Sequence, residues 1–424
     1  MYIIDKRGDE FTNCCTTALK IAPQLARAFF SNYVKVNKMD YFEYHDNILC
    51  CDDVDVREIA QDVGTPFYLY SHRTLIRHCR NLDSAFGETP HLICYSVKSN
   101  FNLALLNILA QEGIGVDIVS GGELYRSLQA GFPPERIVYS GVGKTDEEIR
   151  YALKTGILAF NVESVPELLN LDEIAADMGM KARIAFRINP NVDPKTHPYI
   201  ATGLRNSKFG IPHDQVMDTF RLAAGLNNVE VVGIDAHIGS QITGSEPFTE
   251  SAERLADLAN QLISEGFHLK HIDIGGGLGI RYEKEDPPDP SEWAGAVIPI
   301  LRRTGLRVII EPGRSLMGNA GILVTKVLYV KETPHKTFVI VDAAMTDMLR
   351  PSLYDAYHRI EPVVRSGGET VVADVVGPVC ESSDFLARDR AIMRPERGDL
   401  LALMSAGAYG FVMASNYNSR PRAP

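Results

Sequence analysis

Between residues 90 and 315 the chain alternates eight short apolar runs with longer segments of helical periodicity, and this alternation constrains its fold more than any other feature. The runs are Leu92–Val97, Gly115–Val119, Ile137–Ser140, Leu158–Val162, Arg183–Ile188, Val231–His237, His271–Ile274 and Arg307–Glu311. Most are rich in Ile and Val, the pattern of strands buried on both faces of a parallel sheet. Between them, Glu147–Lys154, Pro166–Met178, Val216–Leu226 and Phe248–Glu265 repeat apolar residues at helical spacing. A doubly wound open sheet uses the same local signals. Eight alternations over about 225 residues favour a (β/α)8 barrel.

In such barrels chemistry collects at the carboxyl ends of the strands. Here those ends carry Lys98, Arg187 with Asn189, His237, the run Gly275-Gly276-Gly277, and Glu311 with Arg314. After about residue 318 the pattern changes. Gly321–Lys331, Thr337–Val341, Thr370–Val376 and Asp399–Met404 read as strands without crossover helices, a second, β-rich domain. The expected organisation is an extension over 1–38, a segment over 39–65 that joins the β-rich domain, the barrel over 66–317, and the β-rich domain over 318–424. The extension includes an amphipathic stretch, Ala18–Val34, but no signal-peptide core, and its early acids speak against a transit peptide. It reads as an extension or mis-assigned start without a catalytic role, with a targeting or docking arm as the alternative.

A net charge of −11 argues against nucleic-acid and membrane-surface partners, which call for basic patches. No apolar run approaches the roughly eighteen residues that span a bilayer. The seven cysteines include no C-x-x-C pair of the kind that holds zinc or forms a redox dithiol, so no metal site is expected. Reduced thiols in a cytoplasmic protein are the simplest reading.

Individually the strand-end motifs are weak. Lys98 could be a solvated lysine, His237 a satisfied core histidine, and Gly275 to Gly279 a tight turn rather than a phosphate-binding loop. Their combination and order are specific. Tyr95-Ser96-Val97-Lys98-Ser99-Asn100, His237-Ile238-Gly239-Ser240-Gln241, Gly275 to Gly279, Glu311-Pro312-Gly313-Arg314, Cys380-Glu381-Ser382-Ser383-Asp384 and Gly407-Ala408-Tyr409-Gly410 together carry a resemblance. Arg187-Ile188-Asn189-Pro190, His197-Pro198-Tyr199 through Lys208-Phe209-Gly210, and Ser415-Asn416-Tyr417-Asn418 extend it. The chain resembles the fold-type III pyridoxal-phosphate-dependent decarboxylases, and within them the diaminopimelate decarboxylase family, from about Tyr41 to Pro424.

That resemblance implies an alanine-racemase-like barrel, pyridoxal 5'-phosphate as cofactor, and decarboxylation of meso-2,6-diaminoheptanedioate to L-lysine, the last step of lysine synthesis. It implies that Lys98 links covalently to the cofactor, Glu311 pairs with the ring nitrogen, and His237 packs on the ring. Ser240, Gly275, Gly276, Gly277, Gly313, Arg314 and Tyr409 then hold the phosphate side. Arg314, Arg350, Tyr354 and Tyr409 correspond to residues around the distal end of the substrate, and Glu381 to the acid that binds its ammonium. Cys380 corresponds to the group that returns a proton to the substrate carbon. In the family Cys380 and Glu381 enter from the neighbouring subunit, so a homodimer with composite sites is expected.

Two departures stand out. Asp342-Ala343-Ala344 replaces the usual Asp-Gly-Gly, which is expected to shift the backbone before Met345 and Arg350. The sequence stops at Pro424 where relatives continue with a strand, which implies an unpaired sheet edge. Two alternatives remain beside the leading reading. One is a related enzyme acting on ornithine, arginine, lysine or carboxynorspermidine; the other is a paralogue that binds the cofactor without turnover. Arg350, Tyr354 and Glu381 favour a substrate with a carboxylate at each end.

Overall fold

The structure, a computed structural model, describes residues 40–194, 196, 202–203 and 207–424, with the backbone of Tyr2–Ile3. The amphipathic stretch Ala18–Val34 and the segment His197-Pro198-Tyr199 lie outside the described residues.

Eight parallel strands close into a barrel. They are β1 (His91–Ser96), β2 (Gly115–Ile118), β3 (Ile137–Tyr139), β4 (Ala159–Val162), β5 (Ala182–Asn189), β6 (Val229–Asp235), β7 (His271–Asp273) and β8 (Arg307–Ile310). Closure is made by β8 against β1, with Val308 opposite His91 and Ile310 opposite Ile93. Each expected strand is present within two residues of its sequence-based limits. Buried apolar residues line every strand and the helices that return over them, so the wall is a two-sided core.

The crossover helices start where the sequence supplies caps. Thr145 and Glu148 form a reciprocal capping box before Asp146–Thr155, and Asp289 and Glu292 do the same before Pro290–Leu301. Ser120 and Ser164 accept from the backbone of Glu123 and Glu167, and so fix the helices that follow β2 and β4.

A second sheet is built on β9 (Gly321–Glu332), which is antiparallel to Phe67–Tyr70, to Thr337–Val341 and to Leu400–Leu403. The sheet continues through Thr370–Val376 to Phe385–Met393 at its edge. Two differences from expectation follow. Phe67–Tyr70, placed by its sequence position in the barrel, pairs with Gly321–Val324 in the second sheet, so the barrel begins beyond it. Phe385–Met393 was not anticipated as a strand.

The segment after Asp40 forms a small antiparallel sheet from Phe42–His45, Ile48–Cys51 and Val54–Asp55. Its Phe42, Leu49 and Cys51 pack with Phe67, Leu69, Ile322 and Val324 in a cluster separate from the barrel core. Tyr68 N donates to Pro424 O, and Tyr2–Ile3 pairs with Leu69–Tyr70, so the backbone beside Phe67–Tyr70 is engaged. Both Ala343 and Ala344 are fully buried, and Ala343 N donates to Thr325 Oγ1.

Candidate active site

Where the barrel strands end, they deliver polar side chains into a core otherwise made of Ile, Val and Phe. Lys98 sits in the single turn that follows β1. Its Nζ lies 2.9 Å from Asp117 Oδ2 on β2, an oxygen that also accepts from Ser96 Oγ. Burial opposes the charged amine, but Asp117 and then Glu311 outweigh it, and the net shift is upward from 10.5. The Asp117 side chain is fully buried while that of Lys98 is 36% exposed, because the lysine opens onto a cavity.

Glu311 follows β8 and is buried; Ser140 and Asn161 both approach its Oε1 at 3.4 Å. Asp235 and Asp273 bring carboxylate oxygens within 4.8 Å of it. Crowding of acids in a desolvated place disfavours ionisation. Burial, then Asp117 and Asp273, push Glu311 well above its ordinary value; burial, then Asp117, raises Asp273 to about 7. The cations facing this group are Lys98 and Arg187, and Arg187 also meets Glu163 at 2.8 Å. Acidic groups outnumber cations at the barrel floor, and their crowding keeps some of them protonated.

The glycine run is required by close approach. A Cβ on Gly276 would stand 2.0 Å from Glu311 O, and one on Gly277 2.4 Å from Gly239 O. Gly277 also adopts φ +111°, a region that L side chains rarely enter. Gly276 N donates to His237 Nδ1 at 3.1 Å, so the ring proton of the neutral imidazole is on Nε2. Burial and the charges of Lys98 and Arg187 keep that imidazole neutral.

Above this floor is a cavity of about 380 Å³ lined by Lys98, His237, Ser240, Tyr282, Arg314, Arg350, Tyr354 and Tyr409, among others. Arg314 and Arg350 are both buried, and among the described residues neither has a carboxylate within salt-bridge distance. Arg314 donates to Tyr282 Oη at 2.7 Å and to Ser240 Oγ at 3.0 Å, while its buried Nε has no partner. Tyr282 lies under both guanidiniums, 5.8 Å from that of Arg314 and 4.7 Å from that of Arg350. Burial would raise the Tyr282 hydroxyl, but the two arginines outweigh it and draw it below its usual value. Positive charge is in surplus at the cavity's other side.

Tyr409 comes from the loop after Leu400–Leu403. Its φ is +57°, and its N–H donates to Ser99 O at 2.9 Å. The Asn100 amide holds the same loop through Gly407 O, and a Cβ on Gly407 would meet Met317 O at 2.0 Å.

Of the residues singled out from sequence, Lys98, His237, Ser240, Arg314, Arg350, Tyr354 and Tyr409 converge on the cavity, with Gly275 to Gly277, Glu311 and Gly313 directly behind it. Cys380 and Glu381 are exposed and do not line it. Cys380 N donates to Asn418 Oδ1, and Glu381 accepts from Ser383 Oγ. Asp117, Asp235, Asp273, Tyr282 and His358 were not anticipated. The three aspartates had a legible signal, since each stands within or at the carboxyl end of a largely apolar strand; Tyr282 and His358 had none.

A crowded acid cluster on one side, able to share a proton with a basic ligand atom, and unpaired buried guanidiniums on the other suit a ligand that is protonated at one end and anionic at the other. A protonated pyridine ring bearing a phosphate has that polarity, and Lys98 lines the same cavity with an amine that becomes a nucleophile once it gives up its proton.

Comparison with known proteins agrees with this geometry. Residues 72–318 match the family described as "Pyridoxal-dependent decarboxylase, pyridoxal binding domain". The diaminopimelate decarboxylase of Vibrio cholerae is 53% identical over 386 residues, covering 91% of this chain and 92% of that protein. The Aquifex aeolicus diaminopimelate decarboxylase is 52% identical over 384 residues, covering 90% and 91%. Among solved structures, diaminopimelate decarboxylase from Helicobacter pylori complexed with L-lysine superposes with a TM-score of 0.85 at 46% identity, covering 87% of this chain and 93% of that one. The M. jannaschii enzyme in complex with L-lysine gives 0.87 at 40% identity, covering 91% and 92%. By its strand-end chemistry and by these likenesses, the chain belongs to the diaminopimelate decarboxylase family of pyridoxal-dependent decarboxylases.

Proposed function

We propose that this protein decarboxylates meso-2,6-diaminoheptanedioate to L-lysine and CO2 with pyridoxal 5'-phosphate as cofactor. The observation that carries the proposal is the pair of buried guanidiniums, Arg314 and Arg350, facing the cavity without a carboxylate partner among the described residues. A buried cation is costly unless an anion completes it, so such a site selects ligands that bring negative charge.

Lys98 would hold the cofactor covalently, Glu311 its ring nitrogen, and Ser240, the backbone around Gly277 and at Gly313-Arg314, and the Tyr409 hydroxyl its phosphate side. When bound, the cofactor supplies an electron-accepting ring that takes up the electron pair released as CO2 departs. The chain's own residues do the rest. His237, held neutral with its Nδ1 occupied by Gly276 N–H, closes one wall of the cavity. Arg350, with Arg314 and Tyr354, receives the carboxylate that is not lost, and a guanidinium fork matches that group in two hydrogen bonds. One proton must return to the carbon that loses CO2. We assign that transfer to Cys380 Sγ, and recognition of the distal ammonium to Glu381, each serving the cavity of a second copy of the chain. Their exposure and their absence from the lining of their own cavity support a composite homodimer.

The partners are small amino acids rather than nucleic acid or membrane, and among the described residues no helix is long and apolar enough to cross a bilayer. The described cysteines are all free thiols, which fits a reducing compartment such as the cytoplasm.

The test is CO2 release from purified, cofactor-loaded protein offered meso-diaminoheptanedioate, lysine, ornithine or arginine. Monocarboxylate substrates should be slower by on the order of 10⁴-fold, as expected for a site built around a polar group they lack. Arg350→Ala should erase most of that discrimination by slowing the true substrate. Preference of the wild type for ornithine, lysine or arginine would overturn the substrate assignment.

A further inference from the structure

We infer that His358 is a positioning residue for Arg350, orienting its guanidinium toward the second substrate carboxylate without neutralising it; this rests on the function proposed above. His358 is completely buried on the chain segment that follows the Arg350–Tyr354 helix. Its Nδ1 is 2.9 Å from Met404 O, a group that only accepts, so Nδ1 carries the proton. Its Nε2 is then a lone pair, and it lies 2.7 Å from Arg350 Nη1, which only donates. One tautomer therefore satisfies both contacts, and it runs from the guanidinium through the ring to the backbone at Met404. Met404 N in turn donates to Arg359 O, which ties the acceptor to the residue after His358. The Tyr282 ring stands edge-on to His358, 5.3 Å away at 78°, and also lies under Arg350. The guanidinium is thus fixed from two directions.

The nature of the acceptor matters. A carboxylate in this place would also orient Arg350, but it would pair its charge and compete with the incoming substrate. Neutral imidazole spends one N–H and leaves the positive charge free. Burial and the charge of Arg350 itself push the ring's pKa down to about 3, so the imidazole stays neutral. Arg314 and Arg390 add to that effect.

The test compares wild type, His358→Phe, His358→Gln and Arg350→Met, all loaded with cofactor. Steady-state kinetics on meso-diaminoheptanedioate are read beside calorimetric affinity for heptanedioate, which has both carboxylates and no amine. Losing a hydrogen bond to a charged group should make His358→Phe raise KM and weaken heptanedioate about 10- to 100-fold. kcat should move by less than about 3-fold, since the interaction is with bound substrate throughout. In His358→Gln, whose Oε1 can accept from Arg350, both quantities should return to within about 3-fold of wild type. Wild-type KM and affinity in His358→Phe would overturn the role. So would a His358→Gln protein that melts like wild type yet binds like His358→Phe.

Should His358→Phe fail to fold, nitrogen NMR of histidine-labelled wild type decides: a proton on Nδ1 alone supports the assignment, and a proton on Nε2 overturns it. Arg350→Met separates the two levels. If it weakens binding while His358→Phe does not, only the inference fails. If Arg350→Met binds heptanedioate and substrate like wild type, the functional reading fails and the inference falls with it.

Discussion

Gly276→Ala adds one methyl group at the place where the glycine run meets the end of β8. The added Cβ would stand 2.0 Å from Glu311 O and 2.9 Å from Glu311 C, whereas real Cβ atoms essentially never come closer than 3.0 Å to another heavy atom. The two backbones must therefore part by at least about 1 Å. That movement strains the hydrogen bond from Glu311 N to Gly275 O, now 2.8 Å, and carries Glu311 with it. Overpacking of this kind costs about 1–3 kcal/mol and a lost hydrogen bond about 1 kcal/mol, so roughly 2–4 kcal/mol is expected. Displacing a residue of the site by about 1 Å should lower turnover on the order of 10²-fold. The single tryptophan, Trp293, is buried between Phe86 and Phe248 and reports barrel unfolding in urea. Gly295→Ala is the matched control. Its Cβ meets nothing within 4 Å on an exposed helical turn, so it should stabilise by about 1 kcal/mol. A Gly276→Ala protein with the wild-type urea midpoint and activity would refute the reasoning, because the clash would then have been absorbed without cost.

Lys98→Ala should not retain cofactor through gel filtration, and borohydride treatment of wild type should label only the peptide containing Lys98. Mixing inactive Lys98→Ala and Cys380→Ala proteins should restore part of the activity through hybrid dimers; no recovery despite proven subunit exchange would place every catalytic group in one chain. His271 is buried, and burial followed by Arg307 and Lys270 holds its pKa down to about 4. As pH falls from 6.5 to 4 the unfolded chain binds this proton and the folded chain does not, so wild type loses stability over that window. His271→Leu lacks that loss and should gain up to about 3 kcal/mol relative to wild type between those pH values, read from urea midpoints at each pH. A constant difference across the window would contradict the buried neutral imidazole.

The barrel was legible because each of its strands is buried on both faces, which writes a continuous apolar run such as Val138 or Ile309 with its neighbours directly into the sequence. Phe385–Met393 escaped because Arg388, Asp389 and Arg390 occupy its middle. Those charges belong on an edge strand, where they discourage pairing with another chain, but they break the apolar pattern by which strands are recognised. Phe67–Tyr70 has the apolar look of a barrel strand, and only its distant partner Gly321–Val324 reveals otherwise. The same contrast holds in the site. Lys98, His237 and Glu311 could be read from their place at strand ends. Tyr282 and His358 act through contacts with Arg314 and Arg350 that no local pattern encodes.

The contact between Tyr409 and Ser99 also sets an order of events during synthesis. All eight barrel strands have been made once Ile310 is added, but Tyr409 follows only after a further stretch that takes roughly 5–20 seconds at ordinary elongation rates. Through that interval the barrel mouth lacks the tyrosine and the loop held by Asn100, and Phe67–Tyr70 lacks its β9 partner until Gly321–Val324 has emerged. The nascent chain thus presents Lys98 and its neighbours before the last side chain of their cavity has been made. Arrival of the Gly407–Tyr409 loop adds Tyr409 to the cavity wall and ties it to Ser99 and Asn100, so the cavity is complete only once the second sheet has been made.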